Sequence, residues 1–187
     1  MMDVLTYNHV YHMDFPDRIM VTGTGNPNAR IAVVAGTPDA SDEKNGYAFS
    51  GKSRAILGEL LLLLGLTEDD VYATLAVKHR TLHEVGGVLV DRLPSERELS
   101  FALPYLMQEL TVLSPKLVVA LGPLAYQAIF GDERGLNAAH GEIRKGERWD
   151  EVALFHPSDV ALNPEYKKSY VYDVIKLKKY CAEHFIR

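Results

Sequence analysis

The sequence has very little cysteine: one residue, Cys181, in a chain of 187. A single thiol can form no internal disulfide and cannot build a cysteine-rich metal site. Basic residues are also fewer than acidic ones, which gives a formal net charge of -5 and a pI of about 5.8. The overall charge therefore predicts neither a nucleic-acid binder nor a membrane-surface protein. A local basic groove on an acidic protein remains compatible with DNA binding.

Long hydrophobic runs are missing as well. None exceeds five residues, as in the five leucines at positions 60–64, and this is far too short to span a bilayer. The first residues do not show a basic segment followed by an apolar one, so they do not resemble a secretory signal. We therefore expect a cytoplasmic protein with no membrane partner. The length allows one compact domain, residues 1–187, in which residues 1–29 form an irregular N-terminal arm.

Four short apolar segments alternate with segments of helical length. These segments read RIAVVAG, DVYATLAV, KLVVALG and EVALFHP. Such alternation predicts an α/β fold, a three-layer sandwich with a four-stranded, mainly parallel sheet flanked by helices. Ligands bind such sheets outside the carboxyl ends of the strands. This places residues 36–39, residues 75–78, Gly122 and residues 156–158 around one crevice.

The stretch NGYAFSGKS, residues 45–53, matches the P-loop pattern G-x-x-x-x-G-K-S. A P-loop needs a strand directly before its first glycine, so that the turn can wrap the phosphates. Here the strand ends near Ala35, and ten mostly polar residues precede Gly46. The apolar strands also end without an acidic residue for Mg²⁺. We interpret the match as accidental, and a P-loop nucleotide-binding enzyme is kept as an alternative.

Several motifs in a fixed order resemble the uracil-DNA glycosylase superfamily, especially its bacterial and archaeal iron–sulfur branch. The similarity covers about residues 30–164. Its motifs are AGTPDASDEKNGYAFSGKS, LLLLLGLTEDDVYATLAVKHR, ERELSFALPYLMQELTVLSPKLVVALGPLAYQAIFG and FHPSDVALNP. The resemblance implies a DNA N-glycosylase that hydrolyses the base–sugar bond of a flipped-out uracil-like or otherwise damaged or modified base in DNA repair. It also implies that the partner is DNA containing such a base, and we expect a monomer.

The resemblance gives roles to residues of the crevice. His156 would stabilise the departing anionic base, because preorganised donors can lower such barriers by several kcal/mol. Asp42 would supply a carboxylate near the site, and Thr37 would stand at the water site. The expected base-binding residues are Gly36, Pro38, Asp39, Phe49 and Leu75, with Phe49 stacking on the flipped base.

The resemblance also implies DNA contacts outside the pocket. The loop after His156 would lie in the minor groove and fill the gap left by the flipped base. Residues 160–162 are the candidate wedge. The expected DNA-binding residues are Lys52, Lys78, Arg80, Ser158, Val160 and Leu162.

Each of these assignments has a simpler structural alternative. Phe49 could be a core residue that closes its loop onto the sheet. Residues 160–162 could be buried, His156 could only end a strand, and Asp42 could belong to a solvated acidic loop. For the lysines, a solvated surface position is the common case.

Three departures from the family pattern affect the interpretation. Two later cluster cysteines are replaced by His79 and Ala102, so we expect no iron–sulfur cluster, no other metal and no cofactor. Gly36 and Thr37 stand where relatives carry an activating Asp, Asn or Glu. Leu75 stands where an asparagine reads uracil, and an apolar side chain leaves polar base edges unmatched. A catalytically silent relative that binds DNA or a nucleobase is therefore kept as an alternative.

The connection after the second strand is longer than the usual Pro-rich one, and residues 86–87 could form the turn of a hairpin. It is closer to the inserted loop of the covalently DNA-trapping branch, in which a histidine attacks the sugar. The corresponding places here hold Asp91 and Arg92, and His83 lies at the other end. We do not transfer the covalent mechanism.

Overall fold

The computed structural model describes residue 11 and residues 13–184. Its main sheet has six strands in the order β1-β3-β2-β6-β8-β7. In chain order the elements are β1 (Thr24–Gly25), β2 (Ile31–Ala35), α1 (Ala40–Asn45), α2 (Lys52–Leu64), a 3-10 turn (Glu68–Asp70), β3 (Val71–Leu75), β4 (Leu82–Val85), β5 (Val88–Asp91), α3 (Glu96–Leu113), β6 (Leu117–Leu121), α4 (Gly122–Phe130), α5 (Leu136–Ala139), β7 (Ile143–Arg144), β8 (Asp150–Leu154), α6 (Pro157–Leu162) and α7 (Tyr166–Glu183).

The four predicted strands form the parallel centre of the sheet, β3-β2-β6-β8, which confirms the predicted fold class. Strands β2, β3 and β6 are buried along their whole length, as expected for a parallel sheet covered on both faces. The antiparallel edge strands β1 and β7 were not predicted. Each has two residues, which is too short to show a hydrophobic period.

Helices cover both faces of the sheet. Tyr72 and Thr74 donate hydrogen bonds to Glu109 of α3, whereas Ala73 lines a cavity together with Leu57 of α2. Because successive side chains of a strand point to opposite faces, α2 and α3 lie on opposite sides of β3. Helix α7 packs against α2. No helix among residue 11 and residues 13–184 is long and apolar enough to cross a membrane.

The predicted hairpin in the connection after β3 is confirmed. Strands β4 and β5 pair only with each other and are joined by Gly86 and Gly87, which both have positive φ. Two-residue hairpin turns of this kind favour glycine, because other residues seldom adopt positive φ. A capping box begins α3: the Ser95 hydroxyl accepts from the Glu98 N–H, and the Glu98 carboxylate accepts from the Ser95 N–H.

Residues 1–10 and residue 12 of the predicted N-terminal arm lie outside the described residues. Tyr11 is fully buried, and its hydroxyl lies 2.6 Å from His79 Nδ1. Phe15 and Tyr105 complete an aromatic cluster whose ring centroids lie 4.7–6.2 Å apart. Burial is the main cause that lowers the pKa of His79.

These side chains do not fit an iron–sulfur cluster. His79 occupies one family cysteine position and Ala102 another, and both are buried. Cys181 is buried in α7. Within the described part of the chain, no three His, Cys, Asp or Glu side chains are grouped so as to hold a metal ion.

A buried ion pair connects the end of β3 to α3. Lys78 Nζ lies 2.5 Å from Glu109 Oε2 and also donates to Thr74 Oγ1, and both charged side chains are almost fully buried. Thr74 and Tyr72 donate to the same carboxylate, at 2.9 and 3.2 Å. Burial lowers the pKa of Lys78, and the Glu109 carboxylate opposes that shift. The ion pair and its hydrogen bonds therefore compensate the two charges, each of which would be costly to bury alone.

We expect Glu109→Ala to lower the free energy of unfolding by about 3–5 kcal/mol, because it leaves the Lys78 ammonium buried without its counter-charge. The double variant Lys78→Met/Glu109→Leu should recover most of that loss. Urea unfolding measures both. Glu68→Ala is the control, because it removes the exposed Arg54–Glu68 pair and should cost about 0–1 kcal/mol. Equal losses for Glu109→Ala and Glu68→Ala would contradict the importance of burial.

Candidate active site at the carboxyl edge of the sheet

The strand register brings four predicted site segments to one edge. Ala35 pairs with Leu75, and the pairing continues beyond the strands, where Val77 N–H donates to Gly36 carbonyl oxygen at 3.1 Å. On the other side Leu121 pairs with Leu154, so Gly122 and His156 follow two adjacent strand ends. The four segments therefore meet at the carboxyl edge of the sheet, where parallel sheets bind ligands.

Gly122 allows the chain to pass close to His156. Its φ is +84°, and a Cβ atom at this position would lie 3.2 Å from the Cβ of His156. A larger residue would strain the backbone and push the imidazole out of place. The first residue of α4 is thus part of the support for His156.

His156 is held at the start of α6. Its Nδ1 accepts a hydrogen bond from the Ser158 backbone N–H at 3.3 Å, so the neutral ring carries its proton on Nε2. Burial lowers the pKa of His156, which Asp159 only partly opposes. Near neutral pH the side chain is a neutral imidazole whose Nε2–H is a hydrogen-bond donor.

The Asp42 carboxylate is used within its own loop, which favours a structural role over the predicted catalytic one. The carboxylate is buried and accepts from the Ser50 N–H at 2.8 Å and from the Ser50 hydroxyl at 3.0 Å. It also accepts from the Asp39 N–H at 3.3 Å. Because loop donors surround it, this carboxylate is not available to orient a water molecule. It fixes the loop between α1 and α2.

The same loop overturns the P-loop alternative. Gly46 N–H donates to the Asp42 carbonyl, Ala48 N–H to the Thr22 carbonyl, and Ser50 N–H to the Asp42 side chain. Backbone donors that a P-loop would direct at phosphates are therefore used within the protein. In addition, helix α1 stands in the sequence between β2 and Gly46, whereas in a P-loop the strand leads directly into the first glycine.

Phe49 belongs to the hydrophobic core in this structure. Its side chain is 3% exposed, and it lines a cavity of about 250 Å³ with Leu57, Val71 and Ala73. Its φ of +56° is rare for an aromatic residue and follows from the tight loop. The alternative assignment to the core is thus correct for this conformation, and the face predicted to stack on a base is not open to solvent.

The other predicted base-binding residues differ in accessibility. Pro38 and Leu75 are buried, whereas Gly36 and Thr37 are half-buried at the strand end. Asp39 caps α1, because its Oδ1 accepts from the N–H groups of Ser41 and Asp42 at 2.7 and 2.9 Å. Of these residues, Gly36, Thr37 and Asp39 are the partly exposed ones.

The prediction that Lys78 contacts DNA phosphates is wrong, because its ammonium is buried against Glu109. Arg80 is paired with Glu43 at 3.1 Å and with Asp91 at 2.9 Å, so a phosphate would have to displace a carboxylate. Lys52 is exposed and stays a predicted contact. The Ser158 N–H is directed at His156 instead of at solvent.

The predicted wedge divides into two parts. Val160 is half-buried and packs against the core, so it cannot enter DNA in this conformation. Leu162, at the end of α6, is 79% exposed. Ala161 is exposed as well, so Ala161 and Leu162 are the wedge candidates whose side chains a DNA duplex could meet.

Sequence reasoning missed two residues that shape the site. Thr22 exchanges backbone hydrogen bonds with Gly46 and Ala48, and Ser50 anchors Asp42. The short spacing between Asp42 and Ser50 could have suggested the contact between them. The contacts of Thr22 have no local sequence signal, because Gly46 and Ala48 lie more than twenty positions away.

Comparison with known proteins identifies relatives over most of the chain. The model of the uracil DNA glycosylase superfamily matches residues 22–175. The chain is 29% identical over 171 residues to a type-4 uracil-DNA glycosylase of Archaeoglobus fulgidus, which covers 87% of this chain and 82% of that protein. It is 28% identical over 164 residues to a type-4 uracil-DNA glycosylase of Pyrobaculum aerophilum, with 82% and 79% covered. A type-5 uracil-DNA glycosylase of the same organism is 32% identical over 148 residues, with 74% and 66% covered.

We expect Asp42→Ala to lower the free energy of unfolding by about 1–3 kcal/mol, because buried loop donors lose their acceptor. Thermal and urea unfolding measure the loss, and limited proteolysis should cut between α1 and α2. Asp69→Ala, an exposed position, is the control and should change stability by no more than about 0.5 kcal/mol. An unchanged stability together with loss of activity would return Asp42 to a catalytic role.

We also expect stability to fall as the pH is lowered from about 7.5 to about 5.5. His79 and His156 have lowered pKa values in the fold, whereas the unfolded chain protonates near pH 6.5. The unfolded state then binds more protons, so acidification favours it. Urea unfolding at several pH values should show a flatter dependence for His156→Asn. An identical slope would contradict the burial of the imidazole.

Proposed function

The chain belongs to the uracil DNA glycosylase superfamily, and from that premise we propose that it is a DNA N-glycosylase. It hydrolyses the base–sugar bond of a flipped-out uracil-like or otherwise damaged or modified base, and it acts on DNA as a monomer. A base inside a duplex must leave the stack before its glycosidic bond can be reached. The crevice at the carboxyl edge of the sheet receives it.

The observation that carries the proposal is the state of His156. As the glycosidic bond breaks, the base leaves with negative charge on its oxygen. A neutral Nε2–H, held by the Ser158 N–H and the close approach of Gly122, meets that oxygen without reorganisation. Because the imidazole is already neutral, it donates a hydrogen bond and keeps its proton.

The lining of the crevice bears on the choice of base. The residue at the end of β3 is Leu75, whose apolar side chain has no donor or acceptor for a base edge and is buried. A site without such partners discriminates weakly between bases that differ only in polar groups. We therefore propose that shape and the ease of extrusion select the substrate more than hydrogen bonding does.

A second candidate function, a silent nucleobase- or DNA-binding relative, is favoured by one specific observation. No acidic side chain occupies positions 36 and 37, and Asp39 and Asp42 already accept hydrogen bonds from loop donors. Water activation would then depend on the backbone of the loop between β2 and α1. Such a site would bind a base and turn it over slowly or not at all.

A base-excision panel tests the proposal. Duplex oligonucleotides carrying uracil, hypoxanthine, xanthine or hydroxymethyluracil are incubated with the protein at low salt, and alkali-cleavable sites are counted on gels. We expect cleavage of at least one of them, and about a 10²–10³-fold lower single-turnover rate for His156→Ala. His184→Ala is the matched control, because this histidine is exposed directly after the end of α7 and its loss should leave the rate unchanged.

The two candidate functions give different results in this assay. A folded wild type that binds these duplexes but cleaves none of them supports the silent relative. Equal rates for the wild type and His156→Ala on a cleaved substrate would remove His156 from the mechanism. Thermal unfolding of each variant shows whether a loss of rate is a loss of fold.

A further inference from the structure

The β4–β5 hairpin carries an apolar face that nothing in the described residues covers. In the antiparallel register Val85 lies opposite Val88, and His83 lies opposite Val90. Directly opposed residues share one face of a ribbon, so the three valines and His83 form that face, here called the valine face. Val85 and Val88 are 55% and 63% exposed. Leu89 and Glu84 lie on the other face.

The base of the hairpin is fixed by several polar contacts. Arg92 makes two hydrogen bonds to the Glu98 carboxylate, at 2.7 and 2.6 Å, and its N–H donates to the Thr81 carbonyl. Arg80 bridges Asp91 and Glu43. An isolated two-stranded hairpin is marginally stable in water, so these contacts hold an arm that could not persist alone. The hairpin is therefore held by hydrogen bonds and ion pairs at its base, and its tip is apolar.

The hairpin stands at one end of the proposed DNA-binding edge. It follows the carboxyl end of β3, and the Arg80–Glu43 pair connects its base to α1. The exposed Leu162 follows the carboxyl end of β8, at the other end of the parallel strands. Three strand spacings separate β3 from β8, which is roughly 14 Å. The hairpin and Leu162 thus follow the carboxyl ends of the two outer parallel strands.

The size of the valine face favours DNA over a protein partner. A stable protein interface buries about 800 Å² on each partner and involves about 20–30 residues a side. Three valines at the tip of a narrow ribbon fall far short of that. Apolar wedges in DNA need only one or two aliphatic side chains, which replace the stacking lost at an opened base step.

We propose that the valine face of the β4–β5 hairpin packs against the DNA beside the extruded nucleotide, on the side of the crevice opposite Leu162. This inference rests on the proposed function, because it needs a DNA substrate at the carboxyl edge. The contact is apolar, so it adds affinity without releasing counterions.

Fluorescence anisotropy with a labelled duplex containing a tetrahydrofuran abasic analogue tests the proposal. We expect Val85→Ser/Val88→Ser to weaken binding about tenfold, because two aliphatic side chains lose their buried surface. The slope of log K against log salt should stay that of the wild type. Leu89→Ser is the control on the other face, and Leu62→Ser is the remote control on α2. Both leucines are as exposed as the valines, at 64% and 77%, and both variants should bind like the wild type.

Several results would overturn the inference. One is wild-type DNA affinity for the Val85→Ser/Val88→Ser variant, here called the valine variant. Another is a smaller salt slope for that variant alone, and a third is an equal loss of DNA affinity for Leu89→Ser. A change of oligomeric state in sedimentation with unchanged DNA affinity would assign the valine face to a second copy instead. Thermal unfolding shows whether the variants keep the fold.

The excision panel separates this inference from the proposed function. Excision by the wild type, with normal binding by the valine variant, rejects the hairpin contact alone. Valine-dependent binding without excision on any substrate rejects the glycosylase activity and keeps the contact. A wild type that binds no duplex at low salt rejects both.

Discussion

Parallel strand register is the constraint on which the site depends. Hydrogen bonds between β2 and its two neighbours, and between β6 and β8, make four strands end at one edge. Residues that are far apart in the sequence thereby become neighbours, as Gly122 and His156 do. Each of these segments follows the end of a strand, so the sheet fixes where it begins.

Backbone N–H groups at this edge bond to groups of the protein itself, and this determines which ligands the loops can bind. The loop between α1 and α2 gives its N–H groups to Asp42 and Thr22. Helix α6 gives one of its first N–H groups to His156. The first arrangement closes a loop that matches a phosphate-binding pattern, and the second sets the tautomer of an imidazole. Backbone N–H groups thus exclude phosphate binding in the first loop and leave the His156 Nε2–H as a donor in the second.

Much of the fold was predictable from the sequence because its signals are local. Apolar runs marked β2, β3, β6 and β8, and paired glycines marked the hairpin. The site was predictable only as a set of positions. Whether Phe49, Lys78 or Asp42 is accessible depends on partners distant in the chain, such as Glu109 for Lys78. Residue type alone suggested surface roles for charged side chains that the fold buries, since burial is decided by tertiary contacts.

The aromatic cluster of Tyr11, Phe15, His79 and Tyr105 has a consequence for how the chain before β1 is attached. A sequence with one cysteine cannot supply four thiolate ligands. Ring packing and the Tyr11–His79 hydrogen bond instead join this segment to the connection after β3 and to α3. Its attachment therefore depends on the shape and burial of side chains that lie far apart in the sequence.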